Sequence, residues 1–417
     1  MSTPRLLTIM GSGETAPTMV TTHRKLASRL PKGARAVLLD TPYGFQENAS
    51  ELSSKARDYF QTSINLQLVT ADLDRVEGAD SVHVERALKM VADAHYVFAG
   101  PGSPSYALRQ WSGTAIAEVL RAKLRTGGVV TFASAAALTL GRFTLPVYEI
   151  YKVGEDPRWL QGLDVLSELG INAVVVPHYN NAEGGHHDTR FCYMGERRLS
   201  QLESELAEET WMLGVDEHTA PVIDLEADTA EVTGKGVVTL RVNGESTEIS
   251  SGETFSLSRL RDPRSSNGSA RPRVEATNEV DVKLEHGDAT LRAATDRLSA
   301  AFDESVANGD GDGAARAALE LDDALRLWSA DTLQSDDTDY ARSVLRGMIT
   351  RLADHAVNGL RDPRESLAPV MNVLLDLRAR VRADKRFDLS DVLRDRLTEI
   401  GIEVRDTPAG PSWNLRD

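Results

Sequence analysis

The first half of the chain alternates short aliphatic runs with longer stretches whose apolar residues recur at helical spacing. The runs are continuous rather than alternating, which is typical of strands covered on both faces of a parallel sheet. Strands are predicted at residues 6–10, 36–39, 66–69, 96–99, 129–133 and 173–176. Helices are predicted between them at residues 48–60, 82–92 and 113–125. This order predicts a three-layer α/β/α domain with a mostly parallel sheet.

The pattern changes over residues 211–257, where short strands follow one another without helices. Strands are predicted at 222–225, 237–242 and 246–249, and Asn243-Gly244 is a hairpin signal. We therefore expect an antiparallel extension that closes one edge of the sheet and completes a domain over residues 1–260.

The remaining chain divides into a polar segment and a helical region. Residues 261–279 are rich in Ser, Pro and Arg and poor in apolar residues, which predicts a flexible linker over residues 261–284. Residues 285–417 show helical periodicity and predict a small helical bundle followed by a short tail. One predicted core stripe follows heptad spacing and consists of Leu367, Val370, Leu374, Leu377 and Val381.

Composition narrows the function classes. A net charge of −16 over 417 residues argues against DNA binding, which needs clustered Lys and Arg. The single cysteine excludes an internal disulfide framework, and no apolar run is long enough to cross a bilayer. The start of the chain lacks a secretory signal pattern. We expect a cytoplasmic protein that uses no metal or other cofactor and does not contact membranes.

Three predicted strand ends carry the groups of a serine hydrolase. Ser134 follows strand 129–133 directly and begins a helix, which is where α/β enzymes place a nucleophile. His178 follows strand 173–176, and a carboxylate pair, Asp216-Glu217, follows another apolar run. A hydroxyl, an imidazole and a carboxylate are the set that activates a serine. The alternative is that Ser134, flanked by alanines, only suits close packing at a helix start.

A set of motifs in a fixed order resembles peptidase E and cyanophycinase-type hydrolases, which have a class I glutamine amidotransferase-like fold. The motifs are GSGE from Gly11, FAGPGSPSYAL from Phe98, the Ser134 turn, PHY around His178, LGVDEHTA from Leu213 and GKGVVTL from Gly234. The resemblance covers roughly the first 260 residues. It implies an enzyme that cleaves aspartyl peptides or related amides, a small peptide or amide substrate.

The same resemblance implies roles for particular residues. Ser134 is the nucleophile, His178 the general base and Glu217 the acid that orients it. The backbone around Gly100 and Gly102, with Ala135, supplies the oxyanion hole. The remaining predicted substrate-binding residues are Gly11, Glu14, Ser103, Glu183 and Arg190.

Three positions depart from the family pattern. Phe132 and Ala136 stand where the family has glycines around the serine, and Pro101 replaces the second glycine of the oxyanion loop. Glycine normally relieves strain at such a turn, and proline has no N–H to donate. These changes are compatible with an altered substrate, another reaction or an inactive site.

The loop after His178 is unusually rich in polar groups. It contains Glu183, His186, His187, Asp188 and Arg190. We expect Arg190 to clamp a substrate carboxylate with its paired donors. Metal binding by the two histidines and Asp188 is an alternative, although adjacent loop histidines are seldom both ligands.

The helical region resembles the C-terminal bundle and tail of cysteinyl-tRNA synthetases, a part that helps to bind tRNA. The segments that carry this resemblance are LDDALRLWSADTL from Leu321 and DLSDVLRDRLTEIGIEVRDTPAGPSWNL from Asp388. tRNA is therefore an expected partner, although residues 285–417 hold 18 Lys and Arg against 26 Asp and Glu. The predicted RNA contacts are Arg378, Arg380, Arg382, Lys385 and Trp413. The alternative is that the basic run is a solvated face and that Trp413 seals the bundle.

Neither signature of a synthetase catalytic domain is present, so aminoacylation is not expected. The sequence favours a serine-type hydrolase with an RNA- or partner-binding module, whose substrate is an aspartyl amide or is linked to tRNA or cysteine. A second hypothesis is an inactive hydrolase fold that binds tRNA or another partner. A third makes the bundle an element for homo-oligomer formation.

Overall fold

The computed structural model describes residues 3–182, 187–264, 290–328, 335–358, 363–407 and 410–415. The chain forms two compact units. The first comprises Met1–Leu291 with Ala324–Thr338, and the second Arg292–Asp323 with Asp339–Asp417. The predicted domain limits at 260 and 285 stay predictions, because most of the proposed linker lies outside the described residues.

The first unit contains the predicted alternation of strands and helices, so the α/β fold class is confirmed. Its strands are β1 Arg5–Met10, β2 Ala36–Leu39, β3 Leu68–Thr70, β4 Tyr96–Ala99, β5 Gly128–Ala133, β6 Phe143–Thr144, β7 Leu160–Gln161, β8 Ala173–Val176, β9 Trp211–Val215, β10 Thr219–Asp224, β11 Thr229–Gly234, β12 Val237–Val242, β13 Glu245–Ser250 and β14 Thr254–Ser256. Its helices are α1 Val20–Ser28, α2 Ala49–Tyr59, α3 Ser81–Asp93, α4 Pro104–Trp111, α5 Ile116–Thr126, α6 Ser134–Leu138, α7 Gly195–Ser204 and α8 Ser258–Arg261.

The main sheet has eight strands in the order β14-β11-β10-β1-β5-β4-β2-β3. The five strands from β1 to β3 in this order are parallel, and β10, β11 and β14 are antiparallel. Successive residues of a strand point to opposite faces. Leu7 and Ile9 accordingly belong to the core with α3, α4 and α5, whereas Leu6 packs with residues of α1 and α2. Helices therefore cover both faces of the parallel part.

A separate four-stranded sheet, in the order β13-β12-β9-β8, carries strands that the sequence assigned to the main sheet. The predicted antiparallel extension is divided, since β10, β11 and β14 extend the main sheet and β12 and β13 belong to the second. β8 and β9 are parallel neighbours, with Val176 opposite Gly214. Because β9 ends at Val215 and β10 begins at Thr219, three residues carry the chain from one sheet to the other.

The second unit contains helices and a terminal hairpin. Its elements are α9 Leu291–Ala307, α10 Gly311–Leu327, α11 Ser335–Asn358, α12 Pro363–Ala383, α13 Phe387–Glu399, β15 Ile402–Thr407 and β16 Gly410–Leu415, of which α9, α10 and α11 also contribute residues to the first unit. The expected tail is thus a two-stranded antiparallel hairpin in which Val404 pairs with Trp413. Its apolar residues share a core with α12 and α13.

The heptad stripe predicted on α12 is partly wrong. Val370 and Leu377 are 58% and 51% exposed, whereas Met371, Leu375 and Arg378 are buried. The buried positions follow the spacing of a straight helix, because α12 packs on α13 and on the hairpin rather than along a coiled-coil partner.

An ion pair between a buried arginine and a half-exposed aspartate joins α12 to the hairpin. The guanidinium of Arg378 donates two hydrogen bonds to the Asp406 carboxylate, at 2.6 and 3.0 Å. The Arg378 side chain is 2% exposed, and that of Asp406 is 52% exposed. A guanidinium taken out of water depends on such a carboxylate to offset its lost hydration.

We expect Asp406→Asn to lower the local free energy of unfolding by about 1–3 kcal/mol, because the buried guanidinium loses its charge-assisted bonds. Hydrogen exchange of α12 and the hairpin in the full-length protein measures this change. Glu403→Gln is the control, since it breaks a more exposed pair with Arg405 and should change stability by less than about 0.5 kcal/mol. Equal losses in the two variants would contradict a special role for the buried pair.

Candidate active site and the second unit

Ser134 lies at the tight turn between β5 and α6. Its φ of 50° is in the left-handed region, which is uncommon for a residue with a Cβ. The strand before it is wholly buried, and the serine itself is 7% exposed. A serine forced into this conformation between a strand and a helix is the geometry of a nucleophile elbow.

His178 comes from the second sheet and reaches Ser134 across the gap between the sheets. Its Nε2 lies 2.9 Å from Ser134 Oγ, and its Nδ1 lies 2.9 Å from Glu217 Oε1. The histidine follows β8 with a φ of 48°, and Glu217 follows the adjacent strand β9. Hydroxyl, imidazole and carboxylate therefore form one hydrogen-bonded series. The sequence placed all three groups on one sheet edge, whereas the structure divides them between two sheets.

Two asparagines that the sequence analysis did not single out hold Glu217, one through its backbone and one through its carboxylate. Asn180 Oδ1 accepts a hydrogen bond from the Glu217 backbone N–H at 2.8 Å, and Asn181 Nδ2 donates to Glu217 Oε1 at 3.4 Å. Both follow His178 within three residues. The sequence feature that could have indicated this role is that both are polar residues that follow shortly after a buried strand.

The electrostatic balance at Glu217 favours the carboxylate form. Burial by itself raises the pKa of Glu217, but the hydrogen bond and charge of His178, with His218 and Asn181, lower it further. The net result is a pKa below the ordinary value of a glutamate. An ionised carboxylate at this position can stabilise a protonated imidazole.

The core accommodates the two side chains that stand where the resembled family has glycines around the serine. Phe132 is fully buried and packs against Trp111, with ring centroids 6.1 Å apart. Ala136 is also fully buried, and its N–H donates to the carbonyl of Gly100 at 3.2 Å. Neither side chain prevents Ser134 from reaching His178.

The residues predicted for the oxyanion hole surround this turn. Gly102 has a φ of 134°, and a Cβ there would lie 2.1 Å from the carbonyl oxygen of Pro42, so only glycine fits. Ala135 occupies the first turn of α6, where backbone N–H groups have no acceptor within the helix. Ser103 has another task, since its hydroxyl accepts from Tyr106 N–H at 3.1 Å and caps α4.

The GSGE motif is packed between the sheets and the site. A Cβ on Gly11 would lie 2.0 Å from the Asp216 carbonyl oxygen, so this glycine permits β1 to approach the residues next to Glu217. Glu14 is 2% exposed, and its Oε1 lies 3.2 Å from the position of a Cβ on Gly100. The buried His23 ring holds the backbone of Glu14, with Nε2 2.7 Å from its carbonyl oxygen.

The polar loop after His178 differs from the prediction in one respect. Arg190 was expected to hold a substrate carboxylate, but its guanidinium donates to both oxygens of Asp188, at 2.8 and 2.9 Å. Because this guanidinium is already paired with a carboxylate of the protein, we expect it to bind a substrate carboxylate less strongly. Glu183 and His186 lie outside the described residues, and Cys192 is buried.

Two further buried residues of the first unit were not assigned a role by the sequence analysis. Asp40, at the end of β2, is 6% exposed, and burial raises its pKa to about 6 against the hydrogen bond from Leu73 N–H. Trp328, which belongs to the first unit, is edge-on to His218 with ring centroids 5.8 Å apart. Trp328 lies in the LDDALRLWSADTL segment, which the sequence analysis assigned to the helical region.

The predicted RNA contacts of the second unit differ in exposure. Arg378 is buried with Asp406, which corrects its assignment as a free RNA contact. Arg382 approaches the same carboxylate at 3.6 Å. Arg380 and Lys385 are exposed, and Trp413 is half-buried against the core of the hairpin. The packing of Trp413 favours the alternative in which this residue seals the bundle.

Neither a metal cluster nor a membrane-spanning helix is found in the part of the chain that the structure describes. No group of three or more His, Cys, Asp or Glu side chains there is arranged to hold a metal ion. Among the same residues, none of the helices has the length and apolar character needed to cross a bilayer.

Comparison with known proteins identifies the C-terminal region. Residues 364–413 match the family model of the cysteinyl-tRNA ligase anticodon binding domain. The chain is 36% identical over 97 residues to the cysteine–tRNA ligase of Chlorobium luteolum, covering 23% of this chain and 20% of the ligase. It is 38% identical over 85 residues to that of Thermotoga maritima, covering 19% and 18%. The predicted resemblance is confirmed, and the matches span about a fifth of the ligases.

Two solved structures are similar to the remaining part of the chain. A peptidase from an acI-B1 actinobacterium is 19% identical with a TM-score of 0.49, covering 61% of this chain and 98% of that one. A protein described as a peptidase E from Listeria monocytogenes is 12% identical with a TM-score of 0.38, covering 59% and 100%. With TM-scores below 0.5, neither likeness bears on the chemistry of this chain.

The raised pKa of Asp40 makes stability depend on pH. Because the folded pKa of about 6 exceeds the ordinary aspartate value of 3.8, folding takes up a proton between these pH values, and stability present at low pH is lost as the pH rises. We expect Asp40→Asn to raise the free energy of unfolding by about 3 kcal/mol at pH 8 and by much less at pH 4.5. Urea unfolding at both pH values measures the difference. Asp58→Asn, at an exposed aspartate of α2, is the control, and a gain independent of pH would contradict the assignment.

Proposed function

We propose that the first unit is a serine-type hydrolase that cleaves a peptide or amide bond. The observation that carries this proposal is the unbroken series from Ser134 Oγ through both ring nitrogens of His178 to Glu217 Oε1, with both contacts at 2.9 Å. Such a series lets the imidazole take the hydroxyl proton while the carboxylate holds its tautomer.

Each group then has a defined role in acyl transfer. Ser134 Oγ attacks the substrate carbonyl and transfers its proton to His178 Nε2. The imidazolium is stabilised by Glu217 and gives the proton to the leaving nitrogen as the carbon–nitrogen bond breaks. A water molecule, deprotonated by the same imidazole, then releases the acyl group from the serine.

The developing oxyanion needs donors on the other side of the carbonyl. The Ala135 N–H in the first turn of α6 is the candidate of choice, and the backbone of Gly102 is the second. Pro101 has no N–H to contribute, so the donor set is smaller than a pair of glycines would supply.

The substrate class remains part of the proposal. The motif order resembles hydrolases of aspartyl peptides, which supports an aspartyl amide as the first substrate to test. The match of residues 364–413 to an anticodon binding domain supports a second unit that binds tRNA, and hence a substrate linked to tRNA or derived from cysteine.

A second candidate function is tRNA binding by a chain whose hydrolase fold is inactive. The observations that favour it are the low exposure of Ser134 and the proline in the oxyanion loop. Labelling of the serine separates the two candidates.

We expect a fluorophosphonate probe to form one adduct on the full-length protein, read by intact mass, and Ser134→Ala to abolish it. Glu217→Gln should slow labelling by roughly 10²- to 10⁴-fold, because the imidazole loses its orienting charge. Ser53→Ala, at a buried serine bonded to Tyr43, is the control and should keep the adduct. A folded wild-type protein without an adduct would favour the inactive alternative.

For RNA binding, the exposed basic residues of this segment are Arg380, Lys385 and Arg386, the last of which also lies 3.5 Å from an exposed carboxylate, that of Asp388. We expect their combined change to Gln to weaken binding of unfractionated tRNA and to reduce the slope of log K against log salt by about 2 to 3. Anisotropy titrations of the full-length protein from low to moderate salt measure this slope.

The matched control neutralises three exposed arginines elsewhere in the second unit, Arg316, Arg342 and Arg346. We expect this control to keep most of the affinity. Equal loss in both triple variants would indicate general attraction rather than a defined surface, and no binding at low salt would remove tRNA as a partner.

A further inference from the structure

Two backbone irregularities meet beside the imidazole of His178. Phe191, Cys192 and Tyr193 have φ values of 61°, 55° and 67°, so three consecutive residues with a Cβ are left-handed. Such residues normally adopt this conformation singly, because Cβ crowds the following carbonyl. The second irregularity is a π-helical turn at Glu149–Val153, a rare structure that is frequent at functional sites.

The left-handed turn is held by the residues that carry the general base. Phe191 N–H donates to the Tyr179 carbonyl at 2.9 Å, and Cys192 N–H donates to the His178 carbonyl at 3.1 Å. The Phe191 ring packs on Tyr179 with centroids 4.5 Å apart, and Cys192 is buried in the same core. Packing and hydrogen bonds thus maintain a conformation that the chain alone disfavours.

The result of both irregularities is an aromatic pair next to the catalytic series. The ring of Tyr193 lies 6.5 Å from the imidazole of His178 and stacks on Tyr151 at 4.9 Å, with an interplanar angle of 30°. Lys152 Nζ lies 4.9 Å from the centre of the Tyr151 ring. Both tyrosines are half-buried, so part of each ring faces solvent.

We propose that Tyr193 and Tyr151 form the subsite for the leaving group, and that the enzyme prefers amides whose leaving amine carries an apolar or aromatic side chain. This inference rests on the proposed hydrolase function. In acylation, the bond from Ser134 Oγ to the carbonyl carbon forms and the carbon–nitrogen bond breaks. The proton held at His178 Nε2 passes to the leaving nitrogen.

The position of the leaving amine follows from this proton transfer. The amine must lie against the imidazole, within hydrogen-bond reach of its Nε2. The ring of Tyr193, whose centroid lies 6.5 Å from that of the imidazole, offers the amine's side chain an aromatic surface, and burying apolar area on such a ring is favourable. A charged or very small leaving group gains nothing from this contact.

Two variants test the subsite without removing the turn. Tyr193→Asn removes the ring but places a residue that tolerates positive φ. Tyr193→Phe keeps the ring. The full-length proteins are incubated with a peptide mixture from a digested proteome, and mass spectrometry identifies the residue at each newly formed N-terminus, which is the leaving-group residue.

We expect wild type and Tyr193→Phe to produce mostly apolar and aromatic new N-termini. Tyr193→Asn should lower the ratio of apolar to polar N-termini by about tenfold, the discrimination that one hydrophobic contact supplies. Tyr340→Asn, at a tyrosine of the second unit, is the matched control and should keep the wild-type profile.

Fluorophosphonate labelling distinguishes failure of the subsite proposal from failure of the hydrolase proposal. If Tyr193→Asn still forms the Ser134 adduct and gives the wild-type profile of N-termini, the subsite is wrong while the hydrolase stands. If the wild-type protein forms no adduct and cleaves no peptide, the proposed function fails and the subsite fails with it.

Discussion

The buried core shared by the two sheets is the constraint on which the first unit depends, because it brings Ser134 and His178, which follow strands of different sheets, within hydrogen-bond distance. Ser134 lies in a left-handed turn at the end of β5. His178 follows the end of β8, and the two strands end close enough together for the side chains to form a hydrogen bond. Gly11 allows the backbones of the two sheets to approach. Phe132, two residues before Ser134, is fully buried and anchors the end of β5 in the core. Packing in the core therefore determines the distance between Ser134 Oγ and His178 Nε2.

Much of the fold could be predicted from the sequence, since buried parallel strands consist of continuous aliphatic runs that few other structures tolerate. The division into two sheets could not, because β9 and β10 are both buried strands only three residues apart, and neither run of residues indicates which strands it pairs with. Helix faces in the second unit were less predictable. Val370 and Leu377 fit a heptad pattern but are exposed, while Arg378, a charged residue, is buried because Asp406 lies on the later hairpin.

Prediction of the candidate site from the sequence was limited in the same way. Ser134, His178 and Glu217 could be proposed because each follows a buried strand and has a distinctive side chain. The supporting residues were harder to find, since Asn180 and Asn181 read as ordinary loop residues until their bonds to Glu217 are known. Arg190 looked free in the sequence, and only the structure shows that Asp188 holds it. Pairing between side chains depends on distances that a linear pattern does not contain.

The connection from β9 to β10 has a mechanical consequence. Glu217 lies in the three-residue segment that joins the two sheets, and the Thr219 carbonyl just beyond it accepts from Gly11 N–H at 3.0 Å. A segment this short cannot absorb a shift of one sheet against the other. Any such displacement would be transmitted to the carboxylate and would turn the imidazole away from the serine. A change in the angle between the sheets would therefore change the distances that join Ser134, His178 and Glu217.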